Sequence, residues 1–79
     1  DMSGGHYQYA YEKIERFADA IEMVGETAED NKLRIALKAH LLLVAAAMKA
    51  VEWEDSGDTG PGDTNTAICN VLLAPRYKL

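Results

Sequence analysis

Hydrophobic residues between Tyr7 and Val24 recur at spacings of three and four: Tyr7, Ala10, Tyr11, Ile14, Phe17, Ala18, Ile21 and Val24. That spacing is one face of an amphipathic helix. Glu12, Lys13, Glu15, Arg16, Asp19 and Glu22 fill the other face, with Glu12 and Arg16 placed to pair at (i, i+4). Gly25 reads as a left-handed stop. Thr27-Ala28-Glu29-Asp30 then reads as an N-cap with an acid three residues on, so a second helix follows a tight connection. The pattern predicts a helical hairpin over about 6–25 and 28–54.

The second helix spans roughly 26 residues, about 39 Å at 1.5 Å per residue. One stripe is Leu33, Ala36, Leu37, His40, Leu43, Val44, Ala47 and Val51; a second is Ile35, Ala39, Leu42, Ala46 and Trp53, interrupted by Lys49. Every residue from Leu41 to Met48 is apolar, so the middle of this helix needs cover on all sides. A short third helix over about 63–73 offers Ala67, Ile68, Val71 and Leu72, and Pro75 ends it. The predicted class is all-α, one small domain over residues 1–79. Two short helices leave much of a long one bare, which predicts a homo-oligomer, most simply a two-fold dimer joining the second helices. The competing arrangement is a compact three-helix monomer with a small-residue core at Ala45, Ala46 and Ala47.

Charge changes this picture in one place. The stretch from Glu52 to Asp63 holds five of the thirteen acids and no Lys or Arg, so it accounts for the whole net charge of −5. It also holds the single Trp, three of six Gly and one of two Pro. Residues 55–62 read as an acidic, Gly-rich loop and 75–79 as a tail. With the bases scattered, a nucleic-acid partner is not expected. The apolar run Leu41 to Met48 is too short to span a bilayer. Asp1 before Met2 reads as a vector residue, no cleavable leader is visible, and the single Cys69 fits a reducing cytoplasm.

With a turn near Glu26, antiparallel helices pair residues whose numbers sum to about 52. Tyr11 then faces Leu41, and Ser3-Gly4-Gly5 falls near Met48 to Val51, one turn from Trp53. The glycine segment and the acidic loop would share one end, together with the start of helix three, capped by Asp63. Asp55 and Asp58 read equally as caps and as ligand groups. Trp53 reads as a core edge or a ligand wall. Tyr9 points away from the helix's apolar face, which leaves it for an interface or a stacked ligand.

Metal chemistry fits poorly. A twelve-residue calcium loop from Asp55 has Gly60 in place, but Gly57 and Thr66 stand where carboxylates are required. The pairs Glu12/Glu15 and Glu52/Asp55 resemble the Mg²⁺-holding acid pairs of all-α nucleotide pyrophosphatases, yet the hairpin register sets them about three turns apart. His6 and His40 lack zinc-ligand spacing. His40 is expected inside or at an interface, and Cys69 as a small buried hydrophobe. No metal or cofactor is therefore assigned.

Met2-Ser3-Gly4-Gly5-His6 followed by tyrosines, with Trp53 and Ser56-Gly57-Asp58 after the long helix, resembles small uncharacterised phage and prophage proteins. The resemblance covers both ends of the hairpin and leaves out helix three and the tail. It implies a phage accessory protein in the bacterial cytoplasm, of a kind that counters host defences by binding a host protein or sequestering a nucleotide signal. The expected function is non-enzymatic binding through Ser3, Gly4, Gly5, His6, Tyr9, Trp53, Asp55, Ser56, Gly57 and Asp58. The alternatives are a pyrophosphatase-like enzyme and a purely structural module.

Overall fold

A computed structural model describes residues 8–55, 57 and 61–74. They form α1 (Ala10–Ala20), α2 (Ala28–Asp55) and α3 (Pro61–Leu72), and no strand occurs among them. The all-α reading holds, and so does the order of three helices around one long member.

The start of α2 is the best-specified local structure. The Thr27 hydroxyl accepts from the Asp30 N–H at 3.0 Å, and the Asp30 carboxylate accepts from the Thr27 N–H at 3.2 Å. This is the reciprocal capping box, with Asp in the place more often held by Glu or Gln.

The predicted ends of α1 are corrected on both sides. Gln8 and Tyr9 have φ of 58° and 55°, left-handed conformations that keep them out of a right-handed helix. At the other end Ile21 turns to extended backbone (φ −63°, ψ 124°), and residues 21–25 are not helical. Gly25 is therefore no helix stop. It is small because the chain passes closely there: a Cβ would come within 2.5 Å of the Asp30 Cβ. Its N–H donates to Asn31 Oδ1 at 2.9 Å.

The extended segment resets the hairpin register. An extended residue advances about 3.3 Å, against 1.5 Å in a helix. A non-helical segment over 21–25, opening on the extended Ile21, therefore carries α1 further along α2 than a continuous helix would. Tyr11 accordingly meets Lys49, not Leu41. Beside the connection, Arg34 Nη1 donates to the Glu22 carbonyl at 3.1 Å.

The third helix begins two residues earlier than predicted. Pro61 occupies the first helical position, where a missing N–H costs nothing. Asp63 is therefore in the first turn and does not cap it. Thr64 is the buried residue here, and its hydroxyl donates to the Ala50 carbonyl at 3.2 Å, fastening α3 to α2.

Among the described residues, α1 and α3 each pack on α2 and not on each other. The result is one flat layer, with extents of 47 × 23 × 11 Å. The radius of gyration is 14.7 Å, where a compact chain of this length has about 12 Å. Buried hydrophobic residues among those described are few: Tyr11, Ala18 and Ala45. Several residues assigned to the core face are exposed instead, Phe17 at 62% and Val24 at 63% among them. Cys69 is exposed as well, contrary to expectation, and His40 is exposed, which removes the interior half of its reading and leaves the interface half. A single layer has no interior to receive them.

Candidate functional site

The end of the molecule where α1 starts and α2 finishes gathers four side chains. Tyr9 and Tyr11 meet edge to face, with ring centroids 6.4 Å apart. The Lys49 ammonium lies 4.5 Å from the Trp53 ring centroid and 5.7 Å from that of Tyr11. Lys49 and Trp53 are one helical turn apart, so α2 itself sets their contact. The shifted register brings Tyr11 to them. The left-handed turn at Gln8 and Tyr9 then carries the Tyr9 ring back onto Tyr11. Left-handed residues other than glycine cost of order 1–3 kcal/mol each and tend to collect at functional sites.

Tyr11 is buried, and its phenol is pushed above the usual value near 10. Burial is the main cause; the Glu12, Glu52 and Glu15 carboxylates add to it, and a hydrogen bond with Trp53 opposes it. Glu52 is itself 2% exposed, a carboxylate enclosed at the inner edge of the cluster. Tyr9 (48%) and Trp53 (38%) keep part of their rings in solvent. The arrangement offers aromatic surface with one fixed cation.

On one face of the layer, adjoining this cluster, a groove of about 310 Å³ runs between α1 and α3. Val44, Ala47, Met48, Val51 and Glu52 of α2 form its floor. Ala10 and Tyr11 form one wall, and Ile68, Val71 and Leu72 the other. Glu52 is the charged residue among those that line it.

Of the residues assigned to the site from sequence, Tyr9 and Trp53 come together through Tyr11 and Lys49. Asp55 is exposed at the last position of α2. Gly57 has a φ of 87°, where glycine is needed, and its N–H donates to the Glu54 carbonyl at 2.9 Å. It serves the exit from α2. Ser3, Gly4, Gly5, His6, Ser56 and Asp58 lie outside the described residues. Lys49 and Tyr11 were missed as site residues. The signal for Lys49 was present, as a cation four residues before the single Trp in an apolar stripe.

Among the described residues, no three His, Cys, Asp or Glu side chains are placed to hold a metal ion. Among the described residues, no helix is long and apolar enough to cross a membrane. No protein-family model, no curated protein and no solved structure matches the chain.

Proposed function

We propose that this chain is a non-enzymatic phage or prophage accessory protein that acts as a homo-oligomer in the bacterial cytoplasm. It holds a small nucleotide-like ligand at the Tyr9–Tyr11–Lys49–Trp53 end. The supporting observation is the Lys49 ammonium fixed over two aromatic rings. A nucleotide needs a flat apolar surface for its base and positive charge for its phosphate. Composition alone gave this end only acids; Lys49 supplies the missing cation. The exposed parts of Tyr9 and Trp53 are the stacking surfaces. Sequestration asks for no catalytic group, and the reading assigns none.

A thermal-shift panel of cyclic dinucleotides, cyclic mononucleotides and ordinary nucleotides tests the reading. A ligand at one hundred times its Kd stabilises the fold by about 2.7 kcal/mol, a shift of several degrees in a chain of this size. The shift is expected to vanish in Lys49→Ala and Trp53→Ala while circular dichroism still reports helix. No shift across the panel would sink the nucleotide reading.

A second reading, a host-protein partner, is favoured by the exposed Phe17, Val24, Leu72 and Leu73. Scattered exposed apolar residues are ordinary, but with Ile35 there are five large ones at more than half exposure among the described residues, which suits a protein contact.

A further inference from the structure

We infer that the end of the molecule away from the aromatic cluster holds a second site, in which Arg34 receives the carboxylate of a small apolar acid and Phe17, Ile21 and Val24 receive its hydrocarbon part. Arg34 stands fifteen residues before Lys49 on α2, about 22 Å away. The inference is therefore independent of the ligand at the cluster.

The site exists because α1 stops early. The Ile21 N–H still donates to the Ala18 carbonyl at 3.3 Å, but Ile21 itself is extended and the chain leaves the helix there. Phe17, in the last turn of α1, and Val24, in the connection, are left 62% and 63% exposed. Together with Ala20, Ile21, Glu22 and Arg34 they line a hollow of about 330 Å³. That is the small end of the range for small-molecule sites, about 300–1,000 Å³.

Arg34 supplies the polar end. It is half-buried, and its Nη1 donates to the Glu22 carbonyl at 3.1 Å. This bond fixes a side chain that otherwise samples many rotamers, so a ligand meets a guanidinium already in place. A carbonyl is neutral, so the bond positions the charge without neutralising it. A guanidinium carries five N–H donors in a planar fork, and the fork matches the two oxygens of a carboxylate. A carboxylate joined to an apolar body thus meets both the charge and the exposed rings and methyls beside it.

Charge narrows the ligand further. Glu22 lines the same hollow, and the whole chain carries −5. A second negative charge on the ligand would be repelled, so a monocarboxylate fits and a phosphate monoester does not. The other lining side chains, Phe17, Ala20, Ile21 and Val24, offer no hydrogen bond. Beyond its carboxylate the acid is therefore hydrocarbon.

Titration of the full chain with octanoate, decanoate, 1-octanol and octyl phosphate, below their micelle concentrations and followed by ¹H–¹⁵N NMR, tests the site. At pH 8 octyl phosphate is doubly charged. Octanoate is expected to bind about tenfold or more tightly than the alcohol or the phosphate. Two further methylenes in decanoate should tighten binding by up to about fifteenfold. The shifted signals should fall between Phe17 and Val24 and on the Arg34 Nε–H. Arg34→Gln keeps a side-chain N–H for the Glu22 carbonyl, so helical circular dichroism should persist while decanoate weakens about tenfold or more. Lys49→Ala should leave decanoate binding unchanged. No binding of decanoate, equal binding of acid and alcohol, or a folded Arg34→Gln that binds as wild type would overturn the site. Signals that move at Tyr9, Lys49 and Trp53 instead would overturn it too. A short peptide ending in a free leucine carboxylate that binds here when decanoate does not would overturn the small acid and give the hollow to a protein terminus.

Discussion

From Val44 to Asp55, α2 runs between two neighbours, α1 on one flank and α3 on the other. From Ala28 to Leu43 it has, among the described residues, the end of α1 and the non-helical segment beside it. Both halves carry apolar residues at helical spacing. The first buries Ala45 and Glu52; the second leaves Leu33, Ile35, Leu37 and Leu42 between 36% and 56% exposed. Hydrophobic content does not separate the two halves. The connections do. The non-helical residues 21–25 slide α1 toward the C-terminal end of α2, and the short link after Asp55 starts α3 at that same end. Both flanking helices therefore crowd one half and leave the other bare.

The largest expected contrast between the halves comes from added bulk. Ala45 is fully buried, and Leu there overfills the contact between helices, at a cost of about 1–3 kcal/mol. For a domain this small each kcal/mol lowers Tm by roughly 4–8 °C. Leu37→Lys in the bare half is expected to move stability by no more than about 0.5 kcal/mol. Equal Tm losses in the two variants would break the comparison.

Next in size is the connection that creates the asymmetry. Gly25→Ala sets a methyl carbon within 2.5 Å of the Asp30 Cβ, so the backbone of the connection must move. A cost of about 1–2 kcal/mol is expected from this local strain. Unchanged Tm would show that the close passage is not fixed in solution.

The bare half also depends on its own cap. With so few tertiary contacts, its order rests on the Thr27/Asp30 box. Thr27→Ala is expected to cost about 1 kcal/mol and Thr27→Ser much less. Hydrogen exchange should then quicken in the first turns of α2 and stay slow near Ala45. Uniform quickening would mean that the two halves open as one unit.

The cap was legible because Thr27 and Asp30 act within three residues of each other, and sequence reads such distances well. Helix identity was legible from the apolar spacing for the same reason. The end of α1 was not, because Ile21 and Val24 continue the helical spacing into backbone that is no longer helical. That one departure moved Tyr11 by two turns along α2 and made Lys49, not Leu41, its neighbour. The candidate site was thus legible in its exposed aromatics, Tyr9 and Trp53, and hidden in the two residues that join them. Asp63 was misread because an acid near a helix start suggests a cap, while Pro61 two residues earlier already marks the first turn.

The smallest expected effect reports on the covered half through Tyr11. Its phenol is held neutral above the usual range, first by burial, then by Glu12, Glu52 and Glu15, against the Trp53 hydrogen bond that favours ionisation. A folded-state pKa raised above the unfolded one gives stability that is complete below about pH 10. That contribution is lost as pH climbs through and past 10, because the unfolded chain releases its proton first. Tyr11→Phe keeps the ring and removes the titration. The Tm difference between wild type and Tyr11→Phe should stay constant up to about pH 9 and shift in favour of Phe above it. A difference that stays flat to pH 11 would mean that Tyr11 is as open to solvent as the residues of the bare half, and the contrast between the halves would fail at its best-buried aromatic.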